Sequence, residues 1–181
     1  MNTQHNPVPR PARISWRLIG WGAAAALLMV PLVAMQFTSE VNWDETDFIV
    51  MGALLAAVGG AMELGVRQSG NRTYRAGFAV AVLGAFLTVW SNLAVGIVGN
   101  EDRAFNFWFF GVLVLGMFGA LVARFRALGM ASTLLAMAVA QVALFVLAAL
   151  SVPASPWPAL FFAPFWLLSA GLFALAGRDV R

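Results

Sequence analysis

The chain has 181 residues, of which 61% are hydrophobic and only 10% charged, with a net charge of +3, no cysteine and one histidine. Soluble domains carry about 25% charged residues, so this composition excludes a water-soluble globule; the apolar residues fall in blocks long enough to cross lipid. The absence of cysteine excludes disulfides, thiolate ligands and thiol catalysis. The expected class is an all-α polytopic membrane protein, a bundle of six transmembrane helices with both termini cytoplasmic.

Residues 1–15 open with MNTQHNPVPRPAR, a Pro-rich polar stretch that predicts a disordered cytoplasmic tail. Residues 16–176 then form a single expected six-helix domain, followed by a short cytoplasmic tail at 177–181. The first span, 16–37, follows basic residues as a signal peptide would. Its apolar core is too long and no small-x-small site follows, so it reads as a retained helix, kinked at Pro31.

The loop SEVNWDETDF leads into the second span, 48–66. Asp44, Glu45 and Asp47 precede a helix start, where carboxylates cap orphan N–H groups and meet the positive end of the helix dipole. Gly52, Ala56, Gly59 and Gly60 give this span a small-residue face that leads to Glu63 and Arg67. Glu63 and Arg67 stand at i and i+4 in the favourable order. They suit an ion pair one turn inside the membrane, with a proton or cation relay as the alternative.

The third span, 76–98, places Gly77, Ala81, Gly84, Ala85, Thr88, Asn92, Gly96 and Gly99 on one side. Leu83, Phe86, Leu87, Trp90, Leu93 and Ile97 occupy the other. Small residues admit close helix approach, so the first side is the expected packed face, and Asn92 on it either bridges helices or lines a solute pathway. The loop GNEDRAFN follows, with Asn100, Glu101, Asp102 and Asn106 before the fourth span, 105–123. These residues suit helix caps; with the acids of the earlier loop they also suit an outer vestibule that concentrates or binds cations.

The fifth span, 129–150, carries Gln141 near its middle, within about 6 Å of the depth of Asn92 and so a candidate partner for it. The sixth, 157–176, contains Pro164, an expected kink. Residues 47–67 align with 106–126, matching Phe48 to Phe107, Gly52 to Gly111, Gly60 to Gly119 and Arg67 to Arg126, as a parallel repeat of hairpins would; abundant glycine and the arginine that topology demands at each inner end produce the same matches by chance.

Orientation follows from the arginines, since basic residues in short loops stay cytoplasmic. Arg10, Arg13, Arg17, Arg67, Arg72, Arg75, Arg124, Arg126, Arg178 and Arg181 fall on one side of six spans and Arg103 alone on the other. Trp43, Trp108 and Trp157 suit an outer interfacial belt, Trp16 and Tyr74 an inner one. The positive charges are scattered over loop ends without stacking aromatics, so no nucleic-acid partner is expected.

The enzyme classes thin out quickly. His5 in the tail is the sole histidine, which leaves no buried haem or di-iron ligands; Ser91, Ser132 and Ser169 have no adjacent base. No catalytic, metal or cofactor residue is assigned. The expected role is an interaction or accessory module whose partners are membrane lipid and a protein partner or second copy; the alternative is a small-solute or cation transporter with Asn92 on its pathway.

EVNW with DF, NRTYR, WSNLAVGIVGNEDRAFN, FGVLVLGMFGALVARFRALGM and the pair Ala140 and Gln141 together resemble a widespread group of small bacterial inner-membrane proteins of unknown function, over residues 36–150. The resemblance implies a compact multi-helix membrane protein and no reaction. Chains of that group usually carry an amide where Arg103 stands here.

Overall fold

The computed structural model describes residues 16–178. The expected disordered tail at 1–15, with His5, Arg10 and Arg13, lies outside the described residues, as do positions 179–181. Among the described residues there are six α-helices and no strand: α1 (Trp16–Ala34), α2 (Glu45–Gln68), α3 (Arg72–Ala94), α4 (Phe107–Val122), α5 (Ala127–Ser151) and α6 (Ala163–Arg178). Tight 3-10 turns at Ala104–Asn106 and Trp157–Phe162 lead into α4 and α6. With those turns included, all six segments are long and apolar enough to cross a membrane.

The helix ends show where local chemistry decides. Asp44 and Asp47 form a reciprocal capping box at the start of α2: the Asp47 N–H donates to Asp44 Oδ1 and the Asp44 N–H to Asp47 Oδ2, each at 3.0 Å. Asn71 caps α3, its side-chain oxygen accepting from the N–H groups of Thr73 and Tyr74 at 2.7 and 3.1 Å. Pro164 falls in the first turn of α6, directly after the 3-10 turn Trp157–Phe162, so it stands where 3-10 geometry passes into α geometry and not in the middle of α6. Helix α6 also runs to Arg178, which takes Gly177 and Arg178 out of the expected tail.

By their contacts the described residues divide inside α2, between Gly59 and Gly60, into two compact units. In the first unit α1 and the start of α2 run antiparallel. Leu28 meets Gly52, and a Cβ at Gly59 would lie 2.8 Å from the Trp21 ring, so the small face of α2 is a seat for α1 side chains.

In the second unit α6 lies between α3 and α5, and α5 between α6 and α4. The contacts are antiparallel and glycine-dependent. Gly77 takes Leu172 and Phe173, Gly84 takes Phe165 and Trp166, Gly116 takes Met137 and Gly119 takes Thr133. Buried Trp166, Phe109 and Phe173 fill the interior, while Leu83, Trp90 and Leu93 of α3 face outward, as the helical spacing predicts. The candidate hairpin repeat, for which chance is the competing reading, finds no matching contacts: Gly119 packs on α5, whereas Gly60 and Gly111 have open space where a side chain would grow.

Close approach at Gly84 gives a test. A Cβ there would lie 2.9 Å from Phe165 Cβ, which cannot swing aside. Gly84→Ala should therefore cost about 1–3 kcal/mol through overpacking, while Gly111→Ala, into open space on a helix, should be neutral or stabilising by up to about 1 kcal/mol. Thermal unfolding in mild detergent reads both; equal midpoints for the two variants would refute the packing assignment.

Candidate functional site

The polar residues singled out by the sequence separate into clusters. Asp44, Glu45 and Asp47 belong to the first unit, where Asp44 and Asp47 are engaged as helix caps. Asn92, Asn100, Glu101, Asp102 and Asn106 belong to the second unit, at the connection between α3 and α4. Among the described residues, no three His, Asp or Glu side chains group as a bound metal would require.

The connection is built on two left-handed glycines. Helix α3 ends at Ala94, four residues short of the expected boundary, because Gly96 and Gly99 adopt φ of +72° and +82°. The chain folds back there. Ile97, expected on the outward side of a continuing helix, is instead buried along with Val98. A Cβ at Gly96 would collide with the backbone of Asn100, so the position excludes any side chain on both φ and space.

Turning the chain inward strands backbone groups away from partners, and one side chain recovers them. Asn106, 3% exposed, accepts from the N–H of Ile97 at 3.2 Å and of Val98 at 2.9 Å through Oδ1. Its Nδ2 donates to the carbonyls of Val98 at 3.4 Å and Asn100 at 2.7 Å. The amide is used to its full capacity. Asn106 therefore does not cap α4, as expected for a polar residue before a helix; it reaches back to the loop and makes no side-chain cap bond. Glu101 and Asp102 do not cap either. They stand exposed in the middle of a turn closed by the Arg103 N–H and the Asn100 carbonyl at 3.2 Å.

Asn92, 4% exposed, donates through Nδ2 to the backbone carbonyl of Asn106 at 2.9 Å, tying α3 to the entrance of α4. Its Oδ1 is buried and has no hydrogen-bond partner among the described residues. The neighbouring recess, about 120 Å³, is lined by Asn92, Leu93, Glu101, Asn106, Phe107 and Phe110. Arg103 is outside that lining; its buried Nε, also without a partner, lies against Gly99.

Gln141 is not the partner of Asn92. Fully buried, it donates to the Ala159 carbonyl at 2.8 Å and accepts from Trp166 Nε1 at 3.4 Å, because α6 stands between α3 and α5. Glu63 and Arg67 meet at 3.2 Å, with the arginine 68% and the carboxylate 23% exposed. Of the serines considered as nucleophiles, Ser132 donates to the Leu128 carbonyl and Ser169 across helices to that of Gly77.

A second cluster was not singled out as a site. Within NRTYR, Arg75 donates to the carbonyls of Ser69 and Val66 at 2.8 and 3.1 Å and thereby closes the end of α2. Tyr74, the sole tyrosine, donates to the Phe125 carbonyl at 2.8 Å. That carbonyl belongs to a tight reversal in which Arg124 and Phe125 both have left-handed φ, 49° and 56°, at about 1–2 kcal/mol each for residues with a Cβ. A lone tyrosine between two arginines at the start of a span was the available signal.

Comparison with protein-family models, curated proteins and solved structures finds no match to this chain.

The connection predicts a ranking. Asn106→Ala strands several buried backbone groups at about 1–3 kcal/mol each and should lower stability by about 3 kcal/mol. Asn92→Ala removes a single bond and should cost about 1 kcal/mol. Denaturant unfolding in detergent measures both, and losses of equal size would contradict the assignment. For the exposed pair, Glu63→Gln and Arg67→Ala should each cost no more than about 0.5 kcal/mol. Strictly additive losses in the double variant would show that the contact contributes nothing.

Proposed function

We propose that this chain is an integral protein of a bacterial inner membrane, with six spans and both termini cytoplasmic, that acts as an interaction or accessory module. The orientation rests on the arginine bias. The location rests on composition and on the resemblance over residues 36–150.

The observation that carries the accessory role is how the buried polar side chains of the second unit are used. Ser169 bonds Gly77, Gln141 bonds Ala159 and Trp166, Asn92 bonds Asn106, and Thr88 turns back on the Gly84 carbonyl of its own helix. Most of them join segments distant in sequence. A transporter needs polar groups continuous across the bilayer, yet below Thr88 the buried positions of α3 are Gly84, Phe78, Gly77 and Tyr74, packed with Trp166 and Phe173. The path below Asn92 is filled with rings.

Reporter fusions at positions 70, 127 and 181 should score cytoplasmic and those at 42 and 102 external; an external C-terminus would remove the six-span arrangement. Affinity purification in mild detergent should recover a stoichiometric protein or a second copy of the chain. In liposomes, Asn92→Ala should not change cation or solute uptake. A folded Asn92→Ala protein that loses a measurable uptake of the parent would favour the transporter.

A further inference from the structure

At the end of the second unit away from the α3–α4 connection, helix ends converge. The Tyr74 hydroxyl at the start of α3 donates to the Phe125 carbonyl, in the reversal between α4 and α5, at 2.8 Å. The Tyr74 ring meets that of Phe173 near the end of α6 with centroids 4.9 Å apart, and a Cβ at Gly177 would lie 2.7 Å from Leu128 in the first turn of α5. Arginines stand beside each of these contacts: Arg72 just before Tyr74, Arg124 and Arg126 on either side of Phe125, and Arg178 after Gly177. All of them are exposed, and their side chains have no hydrogen bond or ion pair among the described residues. Glu63, the described carboxylate at this end, is taken by Arg67 at 3.2 Å. Asp179 and Arg181 lie outside the described residues and cancel in charge.

Orientation in a membrane asks only that basic residues lie at this end; it asks neither that they converge nor that they stay unpaired. The reversal goes further. Phe125 packs against the core, which leaves Arg124 and Arg126 exposed on either side of an anchored ring. Arg124 and Phe125 hold φ of 49° and 56°, where glycine would sit without strain, and strain of this kind gathers at binding sites. No side chain caps α5, so the positive end of its dipole adds to the arginines. Next to them along the helices the surface is apolar, an exposed band that includes Leu121, Val122, Leu128 and Leu175. Guanidinium forks match phosphate oxygens, and an apolar band matches acyl chains. Free phosphate or an acidic peptide would use the charge and leave the band uncovered.

We propose that this corner of the bundle binds an anionic phospholipid, its headgroup phosphate held by Arg72, Arg124, Arg126 and Arg178 and its acyl chains lying along the apolar band. The inference rests on membrane insertion as proposed above, and not on the accessory role or on which leaflet holds the arginines.

The full chain, placed in nanodiscs of phosphatidylcholine with a minor fraction of phosphatidylglycerol and then released into mild detergent, tests it by native mass spectrometry of the lipid that stays bound. Phosphatidylglycerol should be enriched about tenfold over its share in the disc. Arg124→Gln and Arg178→Gln should each weaken that enrichment about fivefold, the usual contribution of one basic residue near a membrane surface. Arg178→Gln, away from the strained reversal, keeps the test valid if Arg124→Gln folds poorly. Arg67→Gln removes the same charge at the same end, from an arginine that Glu63 already holds, and should leave the enrichment within about twofold of the parent's. Inorganic phosphate should displace no more lipid than chloride does at equal ionic strength. A chain that fails to enter nanodiscs would refute membrane insertion and this proposal with it. A chain that enters but retains both lipids in proportion to the disc, equal losses in all three variants, or displacement specific to phosphate would each overturn this proposal alone.

Discussion

The backbone of a chain this apolar must find its own hydrogen-bond partners wherever it leaves a helix, and at the α3–α4 connection that requirement falls on Asn106. Ile97 and Val98 can be buried only because their N–H groups have an acceptor, and that acceptor is a side chain arriving from beyond the turn. The left-handed glycines, the early end of α3 and the placement of Asn92 all follow from this arrangement. Neither aspartate nor glutamine substitutes in principle: a carboxylate has no hydrogens for the Val98 and Asn100 carbonyls, and a longer amide overshoots them.

Connections at the other end of α3 use the same economy with different residues. Asn71 starts α3, Arg75 closes α2, and Tyr74 holds the reversal between α4 and α5. Between the two ends the contacts become apolar, made by rings seated on glycines. Polar groups thus collect where the backbone is irregular, and small residues collect where helices touch.

The helices were legible because length and apolarity alone define them, and the packed face of α3 was legible because small residues repeat at helical spacing. The end of α3 was not. Gly96 and Gly99 continue that spacing, and nothing in the sequence tells a glycine chosen for close packing from one chosen for positive φ. Asn106 was misassigned for a related reason: an amide before a helix can bond forward as a cap or backward to the loop it closes, and the residue type is the same. The interaction of Gln141 with Ala159 and Trp166 depended on α6 lying between α3 and α5, a neighbour relation that no single sequence exposes. At Arg124 and Phe125 the left-handed turn is made without glycine, so the usual signal was absent.

The bonds from Asn92 to Asn106 and from Tyr74 to Phe125 fasten α3 to the two ends of α4. Between Tyr74 and Asn92 the helix rises about 27 Å at ~1.5 Å per residue, close to the ~30 Å hydrocarbon thickness of a bilayer. α4 is thereby cut to the length of its neighbour, like a brace fitted between fixed points. Neither helix can lengthen, shorten or slip by a turn without losing a fastening. Placed in a bilayer thinner or thicker than its apolar band, this pair would answer hydrophobic mismatch by tilting together or by deforming the surrounding lipid, not by sliding past one another.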